Sequence, residues 1–80
     1  MKYFFSKMKK INRLSEILEE KGIYNREIAK LLNKSDQTVS RWIHNHRQPS
    51  VTDLYAIAEY LKIDIRSLLY PTGWTKKTSK

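Results

Sequence analysis

Gln37 and Arg41 stand four residues apart in the segment S35-D-Q-T-V-S-R-W42, with Asp36 and Ser40 beside them. Residues four apart share one face of a helix, so this spacing stacks a carboxamide and a guanidinium one turn apart. Those two side chains have the bidentate geometry that matches adenine and guanine edges. Asp36 offers an acceptor for a cytosine amine, although the helix macrodipole favours a carboxylate in a first turn, which is the simpler account of it. Covalent chemistry has no comparable set. The chain has no cysteine, which excludes disulfides, cysteine-bound zinc and thiol nucleophiles. Its two glycines, Gly22 and Gly73, are too far apart for a glycine-rich phosphate loop, and no Ser–His–Asp arrangement is legible. His44 and His46 are spaced i, i+2, which on a helix puts them on different sides and gives no metal pair. The expectation is a binding protein, not an enzyme, with no cofactor and no metal.

The elements around this segment read as five short helices with almost no strand. Ile11, Leu14, Ile17 and Leu18 follow the rhythm of one helical face, and Gly22 stands where a left-handed residue ends a helix. A second helix is expected from Asn25 to Leu32, burying Ile28, Ala29 and Leu32. Asn33 tolerates the positive φ of a tight turn, and Ser35 is a good N-cap for a third helix that buries Val39, Trp42 and Ile43. Pro49 forbids continuation of that helix. Ser50 with Asp53 resembles a capping box, opening a fourth helix on Leu54, Ile57, Ala58 and Leu61. Asp64 caps a last short helix through Ile65, Leu68 and Leu69, which Pro71 stops. In this arrangement Ala29 is small where the second and third helices approach. Ile28, Leu32, Val39 and Trp42 fill the angle between them, and Asp36, Gln37, Ser40 and Arg41 are left outside. A helix projected in that way fits the width of a B-DNA major groove.

Eighty residues allow one small domain. Sixteen Lys and Arg against eight Asp and Glu leave a net charge of +8, which attracts polyanions, nucleic acid first and anionic membrane second. Lys2, Lys7, Lys9, Lys10 and Arg13 fall in residues 1–14 with no acid, Lys76, Lys77 and Lys80 crowd the tail, and Lys34, Arg41 and Arg47 face only Asp36 in the centre. The organisation expected is a basic aromatic arm over 1–10, a helical domain over 11–70 and a basic tail over 71–80. No apolar run approaches the roughly 18 residues of a membrane span. The apolar stretch of the leader, Tyr3-Phe4-Phe5, is shorter than an export signal of roughly 7–15 residues. A cytoplasmic protein without membrane association is the default. Tyr3, Phe4 and Phe5 are candidates to enter a groove or cover a dimer interface, unless Met8 is the functional start. Trp74 is a candidate to pack on the last helix or on a partner subunit.

The stretch G22-I-Y-N-R-E-I-A-K-L-L-N-K-S-D-Q-T-V-S-R-W42, followed by Pro49, resembles the Cro/C1-type helix-turn-helix family of phage repressors and small bacterial regulators, and the resemblance covers about residues 11–70. It implies an all-α, compact five-helix, lambda-repressor-like DNA-binding domain that reads double-stranded operator DNA, usually as a homodimer. Carried over by position, Asn25 matches a family Gln that bonds phosphate at a helix start. Ser35, Asp36, Gln37, Ser40 and Arg41 match recognition-helix positions facing the groove, with Ser35 also placed at phosphate. Thr38 matches a phosphate-contacting hydroxyl. Asn45, Arg47 and Gln48 fall in a loop that touches DNA backbone in relatives.

Four departures carry expectations of their own. Tyr24 stands where Thr usually caps the second helix, which weakens that cap or shifts it to Asn25. Asn33 replaces the usual turn glycine. Lys34 replaces an apolar turn residue, so its stem covers the core while its ammonium reaches phosphate. Leu18 and Ile43 occupy positions where relatives join the first and third helices by a buried Arg–Glu pair; an apolar pair avoids the desolvation of two ions, and contact between them is expected. The resulting expectation is a transcriptional repressor. The rival is an antitoxin-like or anti-repressor-like module that uses the same fold to bind a protein, a toxin for example, with DNA secondary. A membrane-surface role for the basic aromatic leader is the weaker alternative.

Overall fold

The computed structural model describes residues 10–72. Four α-helices follow one another: α1 Leu14–Lys21, α2 Asn25–Leu32, α3 Asp36–Ile43 and α4 Val51–Leu61. The fifth helix expected from the sequence is instead a single 3₁₀ turn, Ile65–Leu68. Asp64 opens that turn by accepting from the Arg66 N–H at 2.8 Å. The chain then becomes extended at Leu69, which forms an isolated antiparallel bridge with Asn12. The bridge is closed by Arg13 N–H to Leu68 C=O at 2.7 Å and Tyr70 N–H to Ile11 C=O at 3.1 Å. Pairing with the entering chain therefore takes the backbone groups that a further helical turn would have used. Leu69 is exposed as a result, while Leu68 is fully buried.

One core joins all the elements. Leu14, Ile17 and Leu18 of α1, Ile28 and Ala29 of α2, Val39 and Trp42 of α3, and Leu54, Ile57, Ala58 and Leu61 of α4 are buried together with Leu68. Leu32 and Ile43 pack against that core, half-buried. Leu18 and Ile43 thus belong to the same apolar mass. Ile11 does not: α1 begins three residues later than its apolar spacing suggests, and Ile11 is 48% exposed.

The ends of the helices follow from their end residues. Gly22 at φ 68° closes α1, and Asn33 at φ 57° closes α2. In that conformation Asn33 and Lys34 turn their N–H groups back to the Lys30 and Ala29 carbonyls at 3.3 and 2.8 Å, which satisfies the open end of α2. The cap of α2 does not shift to Asn25. Tyr24 is the capping residue and supplies no side-chain cap; the Glu27 carboxylate accepts its N–H at 2.9 Å, and the Glu27 N–H that a Thr hydroxyl would take bonds the Tyr24 carbonyl at 2.9 Å instead. Both halves are present at α4, where Ser50 Oγ accepts from Asp53 N–H and Asp53 reaches back to Ser50 N–H. The end of α3 comes at His44, five residues before Pro49. The residue that turns the chain there is Asn45, at φ 60°. The leader aromatics, Met8, Trp74 and both lysine clusters outside Lys10 lie beyond the described residues.

Candidate nucleic-acid interface

Between α2 and α3 the chain has three residues, Asn33, Lys34 and Ser35, in which to reverse. The left-handed Asn33 makes the reversal possible, and Ala29, almost fully buried, permits close approach of the axes. Ser35 Oγ accepts from Thr38 N–H at 3.0 Å and its hydroxyl bonds the Thr38 hydroxyl at 2.9 Å, which fixes the first turn of α3. Val39 and Trp42 then anchor the inner face of α3, with Ile28 beneath them. What remains outside is set by the helical period. Asp36, Gln37 and Arg41 are exposed, and Ser40 is half-buried. The ion pairs among the described residues are Arg13–Glu16 and Asp64–Arg66, so neither Asp36 nor Arg41 is engaged in one there.

Two depressions flank this outer face. Lys34, Thr38, Arg41, Trp42, Arg47 and Gln48 line the first, which brings three cations and a hydroxyl together without a carboxylate. They come from the turn, from α3 and from the loop after α3. The sequence-derived set of Lys34, Thr38 and Arg47 converges here, and Arg41 joins it. Ile23, Tyr24, Asn25, Arg26, Asp36 and Ser40 line the second. Asn25 is half-buried there, at the start of α2. Sequence reasoning did not single out Arg26, whose guanidinium lies 5.3 Å from the centre of the exposed Tyr24 ring and places a cation beside Asp36.

The loop after α3 is more constrained than its sequence suggests. The Arg41 carbonyl accepts the N–H groups of both His46 and Arg47, at 2.9 and 3.3 Å, and folds the loop back on the helix end. His44 and His46 are not on opposite sides of a helix, because the helix ends before them. Their rings stack with centroids 5.8 Å apart, and His44 Nδ1 lies 2.9 Å from the Ser40 carbonyl. Asn45 faces inward. Its Oδ1 receives the N–H groups of Ile11 and Asn12 at 2.8 and 2.9 Å and the Gln48 amide at 3.1 Å, and its Nδ2 donates to the Asn12 carbonyl at 3.1 Å. One Nδ2 proton of Asn45 is left for an outside acceptor. The partner of this network is Asn12, which nothing in the sequence singles out beyond its being a polar residue just ahead of a helix.

A small helical domain that buries one face of a short helix and presents amides, a guanidinium and nearby cations on the other is a helix-turn-helix module. The helix-turn-helix family model matches residues 14–68. The chain belongs to that family, in its Cro/C1-like (XRE) type. Among solved structures, it is similar to a Bacteroides fragilis protein provisionally described as DNA-binding. The identity is 42%, the match spans 75% of this chain and 97% of the other, and the TM-score is 0.73. It is also similar to a transcriptional regulator from Listeria innocua, at 27% identity over 76% of this chain and 62% of the other, with a TM-score of 0.65. No curated protein matches the chain. No group of three or more potential metal ligands occurs among the described residues, and no helix there is long and apolar enough to cross a membrane.

Proposed function

We propose that this protein is a sequence-specific transcriptional regulator, a repressor, that places α3 in the major groove of operator DNA. The observation that carries the reading is the division of α3 into two faces. Val39 and Trp42 are buried on one side, and Gln37 and Arg41 are exposed on the other, with side chains suited to adenine and guanine edges. Asp36 and Ser40 complete the base-reading surface. Asn25 at one edge, with Lys34, Ser35, Thr38 and Arg47 at the other, hold the helix on backbone phosphates, and Asn45 adds its remaining amide proton. Ser35 and Thr38 approach phosphate with hydroxyls already paired to each other, so they act as a unit. The similarity to a regulator and to a protein described as DNA-binding supports this reading.

The functional unit is residues 11–70, with the basic segments 1–10 and 71–80 as arms that add phosphate attraction without sequence preference. A homodimer would set two copies of α3 in successive major grooves, about 34 Å apart. Binding in that position blocks polymerase by occupancy and needs no chemical step. Selection of bound sequences from a random duplex pool tests the reading. An inverted repeat with half-site centres one helical turn apart is expected. Recovery of unenriched sequence, together with stoichiometric capture of a toxin-like protein, would replace it with the protein-interaction role.

A further inference from the structure

Asn12 is 2% exposed, and every polar atom of it is used. Its Oδ1 accepts from Leu14 N–H at 3.0 Å and starts α1. Its Nδ2 donates to the Trp42 carbonyl at 3.0 Å, near the end of α3, and to Gln48 Oε1 at 2.8 Å. Its own N–H and carbonyl are clasped by the Asn45 side chain. Gln48 in turn donates to Asn45, so three carboxamides and the Asn12 backbone close a ring of hydrogen bonds beneath the loop 44–48. Gln48 and Arg47 also line the cationic depression with Lys34, Thr38 and Arg41. One buried side chain therefore joins the entering chain, the last turn of α3 and one wall of that depression.

We infer that Asn12 is a positioning residue for DNA binding: it holds the loop 44–48 so that Arg47 and Gln48 face Lys34, Thr38 and Arg41 across one preformed seat for a backbone phosphate. The inference rests on the DNA-binding reading and deepens it. Three cations contributed by three separate segments repel one another, and the loop segment carrying Arg47 has no helical hydrogen bonding to keep it in place. The amide ring supplies that restraint before DNA arrives, so the ordering cost is met in folding and not in binding. It also accounts for a left-handed Asn at position 45, since that backbone conformation lets a short carboxamide reach back to residues 11 and 12.

The test is a double-mutant cycle on the full chain, with binding to a short mixed-sequence duplex followed across a salt series. In the parent, Arg47→Ala lowers the slope of log K against log salt by about 1. Asn12→Ala alone lowers it by nearly as much, and in that background Arg47→Ala adds less than half of its usual effect. Arg26→Ala, on the other flank of α3, has the same effect in both backgrounds. Gln48→Ala cuts the same link from the exposed side and replaces Asn12→Ala in the cycle if that variant does not fold. An undiminished Arg47→Ala effect in either background overturns the inference, as does an equal loss of the Arg26→Ala effect, which would mark general loosening of the domain. A parent chain that shows no salt-dependent duplex binding overturns the DNA reading beneath it, and is distinguished by needing no variant at all.

Discussion

On the outer face of α3, Asp36, Gln37 and Arg41 project into solvent, whereas at the seam where residues 10–14 cross the end of the same helix, Asn12, Asn45 and Gln48 are bonded to one another and to backbone. Both regions are rich in polar side chains. The difference lies in what the backbone around them needs. Ser35 caps the first turn of α3 and the carbonyls along the helix are hydrogen-bonded internally, so the polar side chains on its outer face are left over for a ligand. At the seam the helix end, the loop and an extended segment all carry unpaired N–H and C=O groups, and side-chain amides are consumed in pairing them. The residues proposed to read bases are those the backbone leaves unused, whereas the amides at the seam are consumed by it.

The contrast predicts opposite behaviour on substitution. Asn12→Ala leaves the Leu14 N–H without its side-chain partner in a buried setting, at about 1–3 kcal/mol, while the Trp42 carbonyl keeps the Asn45 N–H at 3.0 Å. A loss of about 1–3 kcal/mol in urea unfolding is expected. For a domain of this size, whose total stability is of order 5–15 kcal/mol, that is a large fraction. A stability change below about 0.5 kcal/mol, typical of surface positions, would remove the distinction between the two regions.

Arg41→Ala is the converse experiment. Its side chain is exposed on the proposed reading face, so the stability change is expected to stay within the surface range of about ±0.5 kcal/mol. Binding to a selected site is expected to weaken by about 1–3 kcal/mol, with preference relaxed at one base pair. A uniform loss over all sequences, with a shallower salt slope, would assign Arg41 to the cationic depression that it also lines and not to a base edge. The two outcomes sharpen the comparison, because Arg41 is the residue that the two surfaces share.

What the sequence discloses tracks the range of the interactions involved. The bounds of α2, the starts of α3 and α4, the left-handed Asn33 and the Ser35 and Ser50 caps are set by neighbours within four residues, and all of them were legible. The burial of Val39 and Trp42 followed from periodicity. The failures involve partners far along the chain. Asn12 acts on residues 42, 45 and 48, and no local pattern signals that pairing. Leu69 leaves the expected fifth helix because its backbone partner lies 57 residues away. The stacking of His44 on His46 was hidden by taking Pro49 as the helix stop, when Asn45 turns the chain earlier. The face of α3 was therefore readable and its support was not.

The smallest expected effect lies on the far side of the seam, where the chain leaving the domain is tied to α1. Tyr70 donates its hydroxyl to Glu16, and Arg13 bonds Glu16 at 3.1 Å while its guanidinium lies 5.9 Å from the Tyr70 ring centre. The Tyr70 hydroxyl, then Arg13, hold the Glu16 carboxyl below its ordinary 4.5. Arg66 holds Asp64 down to about 2, first through its side chain and then through its N–H. A carboxylate with a lowered folded value contributes stability that is present above its unfolded value and lost as pH falls through the folded one. Both contributions should therefore be intact at neutral pH; the Glu16 part fades as pH falls below 4.5, and the Asp64 part is lost between 3.8 and about 2. Tyr70 is shifted the opposite way, raised by the same hydrogen bond, so its contribution is present below 10 and lost at higher pH. Tyr70→Phe is expected to flatten the thermal melting profile at its alkaline end and to reduce the Glu16 part of the acid limb to what Arg13 sustains, while Asp64→Asn removes the Asp64 part. The carboxylates Glu16 and Asp64 are solvent-exposed, so the shifts in melting temperature should be small and should shrink further in added salt. A Tyr70→Phe profile superimposable on the parent at both ends would show that the tie contributes nothing, leaving the backbone bridge between Asn12 and Leu69 as the whole of the closure.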